Sequence, residues 1–257
     1  MSLEKKYNPE EYWSEIGSRI GGREDKNIIA GDDSPFYRYK RKEFLKLLHE
    51  VPFQNCKVLE IGGGPGGNLL EVMKHKPTQL HDADISAEML ALAKKNTAGH
   101  DISFTKTNGT QLPFDDESFD IVFSATVLQH NTDPDMMKAL LKEMCRVSTD
   151  KVIIFERIEK RLKGDDLCMG RPIEYYAKVP LANGFNLDDS KFINIQASYL
   201  VSGAARKLLN PPSREEGQKL SALAKIVQSI SLPITSVLDK VFPAKRDLAR
   251  LTFVRKK

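Results

Sequence analysis

A chain of 257 residues has room for one large domain, or for a domain with an accessory piece. With 40% apolar and 29% charged residues it has the make-up of a globular protein, and a formal charge of +4 spread over that length lacks the dense basic stripe of a nucleic-acid-binding surface. Cys56, Cys145 and Cys168 are odd in number, far apart and without a CxxC pair, which argues against a disulfide framework or a zinc knuckle and fits a reducing compartment.

No apolar stretch reaches the ~18 residues that a membrane span needs. The opening MSLEKKYNPEEYW holds no apolar leader core. The expectation is a soluble, cytoplasmic protein, a monomer or homodimer, with no nucleic-acid partner, no membrane span and no metal.

In chain order, residues 1–55 are mixed and read as a helical extension, with aromatic runs (EEYW, SPFYRY) and a basic run RYKRK that reads as a solvated face. Phe44, Leu45, Leu47 and Leu48 of RKEFLKLLHEV stand at helical spacing. From Lys57 strands and helices alternate. KVLEI is a short buried strand and NLLEVMKH a helix. QLHDADI is a strand, and SAEMLALAKKN a helix with Ser86 as N-cap and Leu90 and Ala93 facing inward. ISFTKT is a strand, and FDIVFSA is a continuous apolar run, the mark of a strand covered on both faces. DPDMMKALLKEMCRV is a helix capped by Asp133 with Pro134 at its first position, and KVIIFE is the next strand.

The rhythm then loosens. RPIEYYAKVPLANGF reads as a helix closed by a glycine, and KFINIQASYLV and LARLTFVRK as two longer strands. Between these strands, Ser213 and Glu216 fit a capping box, and Leu220, Leu223, Val227 and Ile230 step by three and four, so a helical insertion is expected at about 205–245. It would lie near a ligand pocket, form a dimer surface or pack on the core. The alternation gives an α/β fold with a parallel sheet, the domain running from 56 to 257.

The chemistry concentrates behind KVLEI. The run GGGPGG, residues 62–67, places five glycines in six positions, more than a tight turn requires. A strand, a glycine turn and a helix bring backbone N–H groups to one point, a known way to hold a nucleotide-like ligand. Gly62, Gly64 and Gly67 satisfy G-x-G-x-x-G. About 20 residues on, Asp84 ends its strand where a carboxylate takes both hydroxyls of a ribose, with Asp82 the competing candidate. Glu60 extends the run to Glu-x-Gly-x-Gly-x-Gly through Gly62, Gly64 and Gly66.

Taken together, VLEIGGGPGG, DADISAEML and LPFDDESFDIV resemble the class I S-adenosylmethionine-dependent methyltransferases, in particular the branch that includes ubiquinone-biosynthesis-type enzymes, over about Val58 to Glu156. The resemblance implies a Rossmann-like seven-stranded, mostly parallel sheet with an antiparallel terminal hairpin and helices on both faces. It implies S-adenosylmethionine as cofactor: Glu60 meeting its ammonium directly or through water, Gly62 to Gly64 and Gly66 offering bare backbone, Asp84 taking the ribose, Ile85 and Met89 beside the adenine, and Ala125 among the cofactor-binding residues. Asn108 stands where the family often has an aspartate, followed by Gly109 and Thr110; an amide still accepts from the adenine amino group. RVSTDKV replaces a common Pro-Gly-Gly turn away from the ligand.

Glu60 also bears on the dinucleotide alternative, because a carboxylate suits a cationic ligand end and disfavours a pyrophosphate. The implied reaction is methyl transfer to a small-molecule acceptor. A cofactor-binding protein without turnover and an NAD-linked oxidoreductase are the alternatives. His130, ending SATVLQH, is either a general base or a residue capping its loop. Glu156 and Arg157 either reach the same cleft or form an exposed ion pair. Tyr37, Arg38 and Tyr39 either contact ligand, in an extension folded over the cofactor, or pack on the sheet edge.

Overall fold

The computed structural model describes residues 7–21, 34–213, 218–242, 244 and 247–256. The capping-box residue Glu216 lies outside them. Two helices, α1 (Pro9–Gly21) and α2 (Pro35–His49), precede the sheet. Ser34 caps α2 by accepting from Tyr37 N at 3.3 Å, and Pro35 opens the helix where its missing N–H is harmless. The alternating segment follows as β1 (Lys57–Ile61), α3 (Gly67–Met73), β2 (Gln79–Asp84), α4 (Ala87–Asn96), β3 (Ser103–Lys106), β4 (Phe119–Ala125), α5 (Pro134–Val147) and β5 (Ser148–Ile158). After it come β6 (Lys163–Gly164), β7 (Met169–Gly170), α6 (Ile173–Ala182), β8 (Phe185–Phe192), α7 (Gln196–Leu208), α8 (Ala222–Val241) and β9 (Asp247–Arg255).

Seven strands form one sheet in the order β3-β2-β1-β4-β5-β9-β8, parallel from β3 to β5, with β9 antiparallel to both its neighbours. The order reverses between β1 and β4, where open parallel sheets bind ligands beyond their strand ends. Side chains alternate between two cores. Leu59, Val122, Val152 and Ile154 meet α5 and α6 on one face; Val58, Ile121, Phe123, Ile153 and Phe155 meet α2, α3 and α4 on the other. Double coverage is why these strands read as unbroken apolar runs.

One element differs from its sequence reading. The strand seen in KFINIQASYLV belongs earlier, at Phe185–Phe192, and residues 196–208 are helix α7. The strand β8 lies at the sheet edge with most of its residues exposed, so FNLDDSKF carries no apolar alternation. The apolar residues of QASYLV are exposed on α7, while Ser198, Ser202 and Ala205 face inward. The inserted pair α7 and α8 thus starts at Gln196, between β8 and β9.

Candidate active site

The glycine turn leaves β1 at the switch point. Gly62 N donates to Ala83 O at 2.8 Å and ties the turn to β2. Two of the glycines serve different ends. A Cβ on Gly63 would sit 2.6 Å from Asp82 Oδ1, a position filled by the fold itself, and Gly63 N donates to that same oxygen at 3.0 Å. Gly64 is left-handed at φ +56°, and a Cβ there would meet no atom within 4 Å. The fold therefore needs no bare backbone at Gly64 for packing; that face opens on a cleft.

The cleft encloses about 690 Å³, including its solvent-open mouth. Gly62 and Gly64 form one wall, with Asp84, Ile85 and Met89 beside them. Gly109 and Ala125 also line it, so most residues expected at the cofactor share one cavity. Asp84 is aimed by two backbone donors, Ser86 N at 2.8 Å and Gly64 N at 3.3 Å. Its carboxyl is held above the usual range, first by burial, with the backbone donors opposing. Asp82 lies behind the turn, fully buried, so the last acid of the strand is the one that meets the cavity.

Glu60 stands apart from the lining. It is fully buried, in register with Asp82, and its Oε1 accepts from Asn68 Nδ2 at 2.7 Å. Its Oε2 has no hydrogen-bond partner among the described residues. Burial pushes its pKa up to about 7, opposed by Asn68 and by the Arg41 guanidinium. Arg41 in turn donates to Asn68 Oδ1. Arg41 belongs to the RYKRK run read as a solvated face, a reading the structure overturns at this residue because its guanidinium turns in toward Asn68 and Glu60. Asn68 was not singled out, and an asparagine opening the helix behind the glycines was the available signal.

Asn108 and Thr110 do not line the cleft. Asn108 is exposed, and its Oδ1 accepts from Thr110 N at 3.0 Å and Gln111 N at 2.8 Å, closing its own turn. Gly66 packs on α4, where a Cβ would come 3.2 Å from Ala93 Cα.

The β4–α5 loop supplies the far wall through Thr126, Val127 and Asn131. Glu156, fully buried, anchors it by accepting from the backbone N–H groups of Val127 (3.0 Å), Leu128 (2.9 Å) and Gln129 (2.9 Å). Burial lifts its pKa to about 7 against those donors. Arg171, 1% exposed, holds the same loop by its carbonyls, donating to Leu128 O at 2.8 Å and Asn131 O at 2.6 Å. So Glu156 is a buried loop anchor and not half of an exposed pair; Arg157 pairs instead with Glu159 at 3.0 Å, both partly buried. Residues 163–170, β6 and β7 with their turn, strap the loop from outside: Met169 N donates to Gln129 O at 2.7 Å.

His130 is half-buried on this loop. Its Nδ1 lies 2.7 Å from Leu167 O, its Nε2 lies 3.2 Å from the Gln129 amide nitrogen, and its ring meets Trp13 edge to face at 5.0 Å. A carbonyl only accepts, so the first contact places the proton on Nδ1 and leaves Nε2 to receive from Gln129. Trp13 and Pro9 of α1 roof the cleft, while Ile16 and Ile20 pack on Met89. The sequence offered a lid from residues 1–55 but sought its contacts at Tyr37, Arg38 and Tyr39 rather than at Pro9 and Trp13 of this roof. Tyr39 turns away from it and donates to Asp239 Oδ2 at 3.1 Å, and Tyr37 packs in the α2 core.

Residues 58–151 match the family model of a methyltransferase domain. The chain is 32% identical over 120 residues to the ubiquinone/menaquinone biosynthesis C-methyltransferase UbiE of Rickettsia massiliae, a match covering 43% of this chain and 46% of that protein. The chain thus spans about half the length of the curated relatives it matches. Its fold is similar to magnesium protoporphyrin IX methyltransferase of Synechocystis PCC 6803 solved with bound SAM, with TM-score 0.59 and 14% identity over 96% of this chain and 95% of that one. It is similar also to the [4+2]-cyclase SpnF, with TM-score 0.56 and 17% identity over 83% and 80%. Residues 58–151 are thus similar to methyltransferase domains, and the fold is shared with methyltransferases such as the one solved with bound SAM. Their cofactor fits what the site offers: an open glycine backbone, a carboxylate at the end of β2 and a buried carboxylate with an unused oxygen.

Proposed function

We propose that this protein transfers a methyl group from S-adenosylmethionine to a small-molecule acceptor. The observation that carries the reading is the convergence of Gly64 and Asp84 on one cleft, with Glu60 and its unpartnered oxygen buried behind the turn. Bound there, the cofactor supplies a methyl group already activated by a positively charged sulfur. Asp84 would hold the ribose hydroxyls, Ile85 and Met89 would flank the adenine, and Glu60 would balance the ammonium through Asn68 or a water. Because the leaving group is already activated, the protein's task is to position the acceptor and keep water out. Trp13 and the clamped β4–α5 loop are the parts built for that, with α1 acting as a lid.

A base is needed only for an acceptor that must lose a proton. His130 serves as one only if the Gln129 amide turns away from Nε2, since Nδ1 is held by the Leu167 carbonyl of the outer strap and Nε2 faces Gln129. The free thiols Cys56, Cys145 and Cys168 suit a reducing compartment such as the cytoplasm. No helix among the described residues is long and apolar enough to cross a membrane.

Calorimetry with adenosylhomocysteine, adenosylmethionine and NAD tests the cofactor. A radiolabelled methyl donor offered with metabolite extracts tests the transfer. Heat with NAD alone, or cofactor binding with no acceptor labelled by any extract, would count against the proposal.

A further inference from the structure

The helix α8 is built inside out. The residues it buries are Ala224, Gln228, Thr235 and Asp239, mostly polar. Gln228 Oε1 accepts from Phe36 N at 3.4 Å, and Thr235 Oγ1 bonds Ser198 Oγ at 2.8 Å. Asp239 Oδ1 accepts from Ala197 N at 2.7 Å and Ser198 N at 3.2 Å, and so caps α7. The opposite face is an apolar stripe at helical spacing: Leu223, Ile226, Ile230, Ile234, Val237 and Val241, from 53% to 71% exposed. A twenty-residue helix runs about 30 Å, so the stripe is far longer than a small acceptor can cover. Apolar surface of that extent marks an interaction site.

The charges around the stripe choose its occupant. Arg206, Lys207, Lys219 and Lys240 are exposed and Lys225 is half-buried. The single carboxylate among the described residues of 196–242 is Asp239, which is buried and fully used in capping. Residues 214–217, outside the described part, add one arginine and two glutamates to the sequence and leave the cationic excess in place. Two copies joined along this face would oppose like charges. An anionic lipid surface accepts both features, taking the stripe into the acyl boundary and the lysines at the headgroups.

We propose that α7 and α8 form a peripheral membrane-docking surface, α8 lying in the plane of an anionic bilayer with Leu223, Ile226, Ile230, Ile234, Val237 and Val241 inserted. The inward polar stripe then matches the rule for helices in lipid, with polar groups turned to the protein and apolar groups outward. Because α8 packs on α2 and α7, docking would hold the body of the enzyme at the interface without spanning it.

Vesicle flotation of the full chain tests this. Phosphatidylcholine vesicles with roughly one third phosphatidylglycerol should bind it, and pure phosphatidylcholine should bind it less. Ile230→Ser combined with Ile234→Ser, and separately Lys225→Glu combined with Lys240→Glu, should each weaken partition by about tenfold or more. Unchanged binding of adenosylhomocysteine by calorimetry certifies that the variants fold, and that readout is independent of docking. Absence of flotation with either vesicle would overturn the proposal, as would variants that bind as the parent does. So would a dimer in sedimentation velocity that the serine variant dissociates, which would assign the face to a second copy.

Discussion

Cofactor binding should release a proton, and Glu60 should be its source. Burial lifts that carboxyl to about 7 from 4.5, a penalty of roughly 3 kcal/mol on the charged form. A ligand ammonium about 5 Å away, at an effective dielectric near 20, returns roughly 3 kcal/mol. The two are of equal size, so the arriving cation restores Glu60 to an ordinary carboxylate. Below the free-state value the protein must lose a proton to bind. Affinity for adenosylhomocysteine should therefore rise about tenfold per pH unit between about pH 5 and 6.5 and level off above about 7. The ligand's own carboxyl and ammonium titrate outside that window, near about 3.5 and 8. Calorimetry in two buffers of different ionisation enthalpy reads the proton count directly. Glu60→Gln should flatten the slope and weaken binding at neutral pH, leaving whatever part Asp82 and Asp84 contribute. A slope identical in parent and variant would refute the assignment.

The same shift has a stability consequence. A carboxyl raised on folding stabilises fully below its unfolded value of about 4.5 and loses that contribution as pH climbs through about 7. Glu60→Gln should therefore melt above the parent at pH 7.5 without ligand and near it at pH 4.5, read by differential scanning fluorimetry. Asp84→Asn should weaken adenosylhomocysteine about tenfold to a hundredfold, measured by calorimetry, since the amide keeps one acceptor oxygen and gives up one charge-assisted hydrogen bond worth about 1.5–3 kcal/mol. Gly63→Ala and Gly64→Ala should separate: the first meets Asp82 at 2.6 Å and lowers the melting temperature, the second adds about 1 kcal/mol of left-handed strain but mainly obstructs the cleft and weakens the cofactor. Glu156→Gln swaps one acceptor oxygen for an amide facing a backbone N–H; it should cost about 1–3 kcal/mol in stability and raise the cofactor KM more than it lowers kcat, by loosening Val127 to Gln129.

The sequence by itself determined the parallel half of this protein. Buried strands such as FDIVFSA announce themselves because both faces must be apolar, and helices such as Pro134–Val147 because cap and first proline are local chemistry. The glycine turn and Asp84 were legible for the same reason: backbone conformation and strand ends are read from neighbouring residues. Tertiary structure alone decided the rest. Nothing local tells that Glu156 reaches back to three N–H groups of Val127 to Gln129, that Arg171 closes the same loop, or that Trp13 comes to roof a cleft whose walls begin at Ile61. The edge strand β8 hid behind its solvent-facing polar residues, and the apolar stripe of α8 looked like core until its polar side proved to be the buried one. Periodicity gives the presence of a face; which way the face turns depends on what packs against it, and that is a property of the assembled fold.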